Sequence, residues 1–358
     1  MLDLSSLCLV ARRALAAASL LALAGCQSLP PVVPPVTAAG APAVSAAPAP
    51  PLATPPAAPP VVPAPVTATE ASAPSPVPAP PAAAGPPAAA APAPRPPRIG
   101  LALGGGAARG FAHIGVIQVL EENGIRPALV VGTSAGSLVA ALYASGKNGM
   151  QMGTLAQTMD EGAITDWAFP GRGLIRGEAL ARYVREQTAG LAIEQMKLPL
   201  GIVATDLDTG AGVLFQRGDT GVAVRASSAV PAVFQPVKIG NREYVDGGLV
   251  SPVPVRYARQ MGADLVLAVD ISSPPEGQAT GDAMKMLLQT FAIMSKSINS
   301  FELREADLVL RPALAGVGSA DFTARRRAII AGREAALKAL PALRARIAAF
   351  TARGGRPD

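Results

Sequence analysis

Within this 358-residue chain, one serine stands at a spacing that chemistry recognises. The stretch "VVGTSAGSLV", residues 130–139, sets Ser134 between Gly132 and Gly136, after a β-branched run and before a helical one. A sharp strand-to-helix turn presents a nucleophilic hydroxyl in this way. A serine is a poor nucleophile at neutral pH unless a base takes its proton, and the usual base is histidine. The chain has a single histidine, His113.

The familiar serine triads differ in chain order, and each order can be tested against the sequence. The order serine, acid, histidine needs a histidine after Ser134, and there is none. The order histidine, aspartate, serine needs an aspartate between His113 and Ser134, and there is none. The order aspartate, histidine, serine needs an aspartate before His113, where only Asp3 stands. A carboxylate must then act as the base, or Ser134 is inert.

Asp246 fits that role in "YVDGGLVSPVP", at the end of a strand-like run and before Gly247 and Gly248, which let the backbone turn sharply. An ordinary aspartate is a weak base, but partial desolvation raises its pKa toward the task. A D-G-G by itself is also an ordinary turn. Asp206 and Asp208, in "ATDLDTG", are rivals that read as a strand end entering a hairpin.

A third element is the glycine run "LGGGAARG", 103–110, between a strand and a helix. Backbone N–H groups of Gly104, Gly105 and Gly106, with a positive helix end behind them, suit an oxyanion. A dinucleotide fingerprint fails here: counted from Gly104, the last glycine is replaced by Arg109, and counted from Gly105, Ala107 interrupts it. No G-x-x-x-x-G-K-[ST] is present either.

Taken in order, "GGGAARG", "GTSAG", "ASSAVPAVFQPV" (226–237) and "DGG" resemble the patatin-like phospholipases, and within them bacterial members of the neuropathy-target-esterase branch. The resemblance covers roughly 99–271. It implies a three-layer α/β/α fold with a mainly parallel central sheet. It also implies a Ser134 nucleophile, Asp246 as the base of a Ser–Asp dyad, and an oxyanion hole at Gly104–Gly106. The implied substrate is a phospholipid or other lipid ester. Ala107 departs from the pattern, since many members carry a further glycine there. His113 and Arg109 are read as structural, with a lipid phosphate as the alternative partner of Arg109. Trp167, Phe169 and Pro170, in "DWAFPGRG", are read as either a loop anchor or the rim of a lipid entrance.

The elements that must position these residues follow from periodicity. Strands are expected at 98–103, 127–131, 200–207, 212–216, 235–239, 242–246, 264–271 and 307–312. Helices are expected at 109–124, 134–146, 150–160, 177–188, 254–262, 282–303 and 323–352, the last with Pro341 as a kink. Strand and helix alternate, which implies a parallel sheet covered on both faces and a site at the carboxyl ends of its strands. Ile329, Ile330, Leu337, Leu340, Leu343, Ile347 and Phe350 offer an apolar side to the last helix.

Composition sets the limits. Of the 37 prolines, 25 fall between Pro30 and Pro97, in a stretch too poor in charge and large apolar residues to fold. It reads as a semi-rigid spacer. Before it, Arg12 and Arg13, the run "ALAAASLLALA" and "LAGC" form an export signal. That run is too short to span a bilayer. "LAGC" resembles the lipoprotein box, which implies cleavage before Cys26 and acylation of its thiol; an ordinary signal cut after Ala24 is the alternative. Gln27 follows where an aspartate marks inner-membrane retention, so the expected address is the outer membrane.

The expected organisation is therefore a signal at 1–25, an anchor and linker at 26–97, the lipase-like domain at 98–275 and a mostly helical extension at 276–358 packed on it. Charge balances over 98–301, and the net +6 comes mainly from the tail, where 11 basic residues outnumber 6 acidic ones after residue 301. With 4% aromatics and an export signal, no nucleic-acid partner is expected. No cofactor and no metal is expected, although calcium held by carboxylates stays open. Alternatives to the esterase are a lipid-binding envelope protein with a weak dyad and an acyltransferase. Acyl length, headgroup and oligomeric state are not written in these motifs.

Overall fold

The apolar run Ile99–Leu103 forms β1, the buried middle of a parallel sheet. The computed structural model describes residues 95–160, 162–167, 172–275 and 280–353, apart from the Ala163 side chain. The expected signal, Cys26 and the linker as far as residue 94 lie outside the described residues, as do Phe169 and Pro170.

After β1, a glycine turn and a short 3-10 helix (Ala107–Gly110) lead into α1 (Phe111–Glu122), β2 (Leu129–Thr133), α2 (Ala135–Ala144) and α3 (Gly149–Thr158). Next come β3 (Gly173–Ile175), α4 (Glu178–Gln187), β4 (Leu200–Asp206), β5 (Gly212–Phe215) and α5 (Thr220–Ser227). These are followed by β6 (Ala232–Phe234), β7 (Val237–Ile239), β8 (Arg242–Asp246) and α6 (Val255–Gln260). The last elements are β9 (Leu265–Val269), α7 (Ala283–Glu302), β10 (Leu308–Leu310) and α8 (Arg325–Ala352).

Strands β10, β9, β1, β2 and β4 lie side by side and parallel. Leu101, Leu103 and Ile202 pack toward α1, α2 and α8 on one face; Ala102, Val131 and Val203 pack toward α6 on the other. The result is the α/β/α layering that alternating strands and helices require. β3 and β6 pair separately, and neither short strand carries a periodic signal in the sequence.

The strand that carries Asp246 runs against the five parallel strands. Along one edge of β4, residues 200–203 pair with β2, and 204–206 pair with β8 in the opposite direction. β5 holds the other edge, at 202–205. β2 and β8 therefore meet end to end on the same side of β4. Thr133 sits opposite Val203, and Asp246 sits opposite Ala204. Nothing in hydrophobic period alone announces this head-on meeting.

The tail is part of the same core. The described residues form one compact unit, β10 extends the sheet beside β9, and α8 crosses α1. At that crossing a Cβ on Gly332 would lie 1.9 Å from the Ala112 carbonyl oxygen, and one on Gly115 would lie 2.0 Å from that of Ile329. Two glycines thus let the helix backbones touch. This corrects the expected apolar side of α8. Ile329, Leu340, Leu343 and Phe350 are buried, but Ile330 and Leu337 are 44% and 49% exposed. Small residues, Ala328, Ala331, Gly332 and Ala336, complete the buried side instead. The helix also runs through Pro341 without interruption. The carbonyl that Pro341 leaves unpaired is that of Leu337, on the exposed side where water can reach it.

Candidate active site

The meeting of β2 and β8 brings Ser134 to Asp246. The Ser134 hydroxyl donates to Asp246 Oδ2 at 2.7 Å, and the Gly248 N–H donates to Oδ1, also at 2.7 Å. The Asp246 carbonyl is held from behind by the Thr205 hydroxyl at 2.8 Å. Asp246 is 4% exposed. Burial pushes its carboxyl up to about 6, against the opposing pull of the hydrogen bonds from Ser134 and Gly248. A carboxylate with that affinity for a proton is a far better base than a solvated aspartate.

Ser134 occupies a strained turn, with φ 53° and ψ −126°. Such backbone costs about 1–3 kcal/mol and persists only where neighbours enforce it. The glycines on either side explain how it fits. A Cβ on Gly132 would lie 2.3 Å from the Gly136 carbonyl oxygen, and one on Gly136 would lie 2.1 Å from that of Leu103. Ser134 is also the N-cap residue of α2, so its side chain stands at the positive end of that helix.

The residue that enforces the turn was not singled out from the sequence. Ser227, buried at the end of α5, accepts the Ser134 N–H at 2.9 Å and donates its hydroxyl proton to the Val203 carbonyl at 2.6 Å. Two residues on, the Ala229 carbonyl accepts the Asp246 N–H at 2.9 Å. The "ASSA" segment thus holds both partners, one by a side chain and one by a carbonyl. A serine in a run of small residues was the signal available for it.

The glycine turn corrects one expectation. The Gly104 N–H donates to the Val269 carbonyl and the Gly105 N–H to that of Pro252, so neither is a free donor. Among the described residues, the N–H groups of Gly106 and Ala107 have no partner, and both residues border the cavity that holds Ser134 and Asp246. The N–H groups left open beside the cavity are therefore those of Gly106 and Ala107, where Gly104, Gly105 and Gly106 were expected. Ala107 takes φ 49°, a left-handed backbone that glycine adopts without cost, which accounts for the glycine many resembling sequences carry there.

His113 and Arg109 brace this turn. The His113 ring is fully buried, with Nε2 2.8 Å from the Gly104 carbonyl, which only an N–H can satisfy. Burial holds its pKa down at about 4, so the ring is neutral and its proton is committed to Gly104. Arg109, 6% exposed, donates to the Ser273 hydroxyl at 2.6 Å and the Ser272 carbonyl at 2.9 Å. Both side chains pin the loop from the protein side.

The cavity encloses about 470 Å³. Its floor is the glycine turn with Ser134 and Asp246, and one wall is the inner face of α7. Asp206 is elsewhere: Arg242 at 2.6 Å and the N–H groups of Asp208 and Thr209 bind its carboxylate, and Arg242 above all pulls it down to about 2. It shapes the β4–β5 hairpin. Trp167, 73% exposed, does not line the cavity. Among the described residues, no three His, Cys, Asp or Glu side chains converge as metal ligands.

Comparison with known proteins places the sequence beside one family. Residues 101–259 match the family model for patatin-like phospholipase. Over 186 residues the chain is 38% identical to an uncharacterized NTE family protein of Mycobacterium tuberculosis, an alignment covering 51% of each. Over 232 residues it is 32% identical to patatin-like phospholipase domain-containing protein 6 of Mus musculus, covering 62% of this chain and 16% of that one. The chain thus spans about half the length of the mycobacterial relative and less of the murine one. The crystal structure of VipD from Legionella pneumophila aligns with 70% of this chain and 67% of its own, at a TM-score of 0.47 and 15% identity.

Proposed function

We infer, for a chain that carries a patatin-like phospholipase domain, that it is a serine esterase cleaving the carboxylic esters of lipids through Ser134 and Asp246. The observation that carries this reading is the 2.7 Å hydrogen bond from a strained serine to a buried carboxylate, at the floor of a cavity.

The chemistry follows from the donors and acceptors present. Asp246 Oδ2 takes the Ser134 proton as Oγ forms a bond to the ester carbonyl carbon, and the carbonyl π pair moves onto its oxygen. The free N–H groups of Gly106 and Ala107 hold that oxyanion. Collapse breaks the bond to the alcohol, which leaves with the proton from Asp246. Water then gives a proton to Asp246 as its oxygen bonds to the acyl-serine carbonyl carbon; collapse breaks the C–Oγ bond, Asp246 returns the proton to Ser134 Oγ, and the fatty acid leaves. An ester carbonyl is more electrophilic than an amide carbonyl, and an alkoxide leaves far more readily than an amide anion, so esters are favoured over amides.

A fluorophosphonate probe tests the reading on the full chain. Ser134 is expected to be labelled, Ser134→Ala to take up no label, and Asp246→Asn to label weakly. Both single variants and the double variant are expected to fall to similar residual turnover of a short-chain ester, because residues acting as one unit lose activity non-additively. Near-normal turnover by Asp246→Asn would overturn the dyad.

The proposal extends to location: export, acylation at Cys26 and an outer-membrane address. What supports it is "LAGC" after an apolar run, followed by Gln27. Cys26→Ser is expected to release the protein from the membrane fraction or leave its signal uncleaved, and unchanged mass and fractionation refute it.

A further inference from the structure

The α7 wall of the cavity has a second side. From α7, Leu288, Phe291 and Ala292 face the cavity. The opposite side carries Met286, Ile293 and Phe301, which are 59%, 54% and 67% exposed. These residues are seven and eight positions apart, about two helical turns each, so they line up along one side. Thr290 and Ser297 fill the gaps with small side chains. Of the whole helix, only Asn299 and Glu302 are buried, at its carboxyl end. There the Asn299 amide donates to the Ser272 hydroxyl at 3.0 Å, and the Glu302 carboxylate accepts the Ser251 hydroxyl at 2.6 Å. Nearer its start, the Gln289 amide donates to the Pro275 carbonyl at 2.8 Å, and between these ties the helix is only half covered.

Its charges have one sign. Between Ala283 and Phe301 there is no carboxylate, and the two charged residues are Lys285 and Lys296. Eleven residues is about three turns, so both lysines fall on the same flank of the apolar line. Lys285 also meets the capping Asp282 at 2.9 Å. At the far end, the Arg304 guanidinium lies 5.5 Å from the centre of the Phe301 ring. An exposed apolar stripe with cations beside it is the pattern of a helix that lies in a lipid interface. The helix is not long and apolar enough to cross a membrane. By contrast, the more basic α8 spends most of its large apolar residues on the core.

We propose that the Met286–Ile293–Phe301 stripe, with its lysine flank, is the surface by which the domain docks onto an anionic lipid bilayer. α7 would lie among the headgroups with the substrate cavity directly beneath. One helix then touches the bilayer on one side and the cavity on the other. In naming the bilayer as the source of substrate, this rests on the lipid-esterase reading.

The test uses the full chain carrying Cys26→Ser, so that no acyl anchor contributes, and compares it with the same chain carrying Met286→Ser and Ile293→Ser. Neither of these two residues lines the cavity. Three quantities are read: sedimentation with phosphatidylcholine vesicles, with or without phosphatidylglycerol; turnover of a water-soluble butyrate ester; and mass by light scattering. The parent is expected to bind anionic vesicles better than neutral ones. The stripe variant is expected to lose roughly tenfold or more of that binding, from two apolar side chains no longer buried, and to keep its soluble-ester turnover. Lys296→Ala is expected to lose about fivefold on anionic vesicles only. Equal binding by parent and variant overturns the proposal, as does no binding by the parent. A parallel loss of soluble-ester turnover overturns it in favour of a packing role. A parent dimer that the variant dissolves overturns it too, since the stripe would then be covered by a second copy. Stripe-dependent binding by a parent that hydrolyses no ester upholds docking and defeats only the esterase reading.

Discussion

Ser227 accepts the amide hydrogen of Ser134 at 2.9 Å, and its own hydroxyl is anchored on the Val203 carbonyl at 2.6 Å. One buried hydroxyl therefore sets the backbone of the strained residue whose side chain faces Asp246. Ser227→Ala leaves an N–H and a carbonyl unpaired in the interior, at about 1–3 kcal/mol each. The expected result is a loss of stability with a fall in kcat much larger than any change in KM. Ser227→Thr, which retains the hydroxyl, is expected to restore part of kcat where the extra methyl is accommodated. Urea unfolding and steady-state kinetics on a soluble ester check both.

Asp246 must be ionised to take the Ser134 proton, and burial holds its carboxyl up at about 6. In the free enzyme kcat/KM is expected to fall about tenfold per pH unit below that value and to level off above it. A limb near 6 resembles a histidine titration, but His113 is held at about 4 by burial. His113→Gln is therefore expected to keep the limb in place. A limb that disappears with His113 refutes the assignment.

The same shift has a cost in stability. Asp246 rises from 3.8 unfolded to about 6 folded, so folding favours the protonated carboxyl. That contribution is fully present below about pH 4 and is lost as pH rises through 6. Above pH 6 the ionised, buried carboxylate costs about 3 kcal/mol at most. Asp246→Asn, inactive, is thus expected to melt higher than the parent at pH 7–8 and to match it near pH 4. Thermal melts across this range check the crossover.

Gly332→Ala offers a test whose sign separates two effects. Helix propensity alone gives alanine an advantage of about 1 kcal/mol over glycine. At the α1–α8 crossing the new Cβ would stand 1.9 Å from the Ala112 carbonyl oxygen, so the helices must part. Overpacking of this kind costs about 1–3 kcal/mol or more. The variant is expected to melt several degrees lower, and a higher melting temperature refutes the backbone contact.

Much of the scaffold is legible in the sequence, because buried parallel strands are continuous apolar runs and the helices between them are periodic. The Arg242–Asp246 strand is matched residue for residue, and Ser134 and Asp246 are reached by chain order and a glycine pair. What the sequence does not carry is direction. Nothing in "REYVD" says that this strand runs opposite to its neighbours and ends facing β2. Nor does "GGGAARG" say which N–H groups are already taken, since Val269 and Pro252 arrive from far along the chain. Ser227 has no signal of its own within "ASSAVPAVFQPV", because a structural serine among alanines follows no spacing. Ile330 and Leu337 misled because apolar character marks a core face only where side chains have room.

The pairing of distant segments also bears on how the chain reaches this state. β1 lies between β2 and β9, and α1 is closed over by α8, far along the chain. β1 cannot complete its hydrogen bonds until β9 has been made, and α1 stays uncovered until residue 332. Contacts so far apart in sequence make folding slow, because loop closure precedes the gain. A chain released before α8 would present bare glycine backbone and an open apolar face.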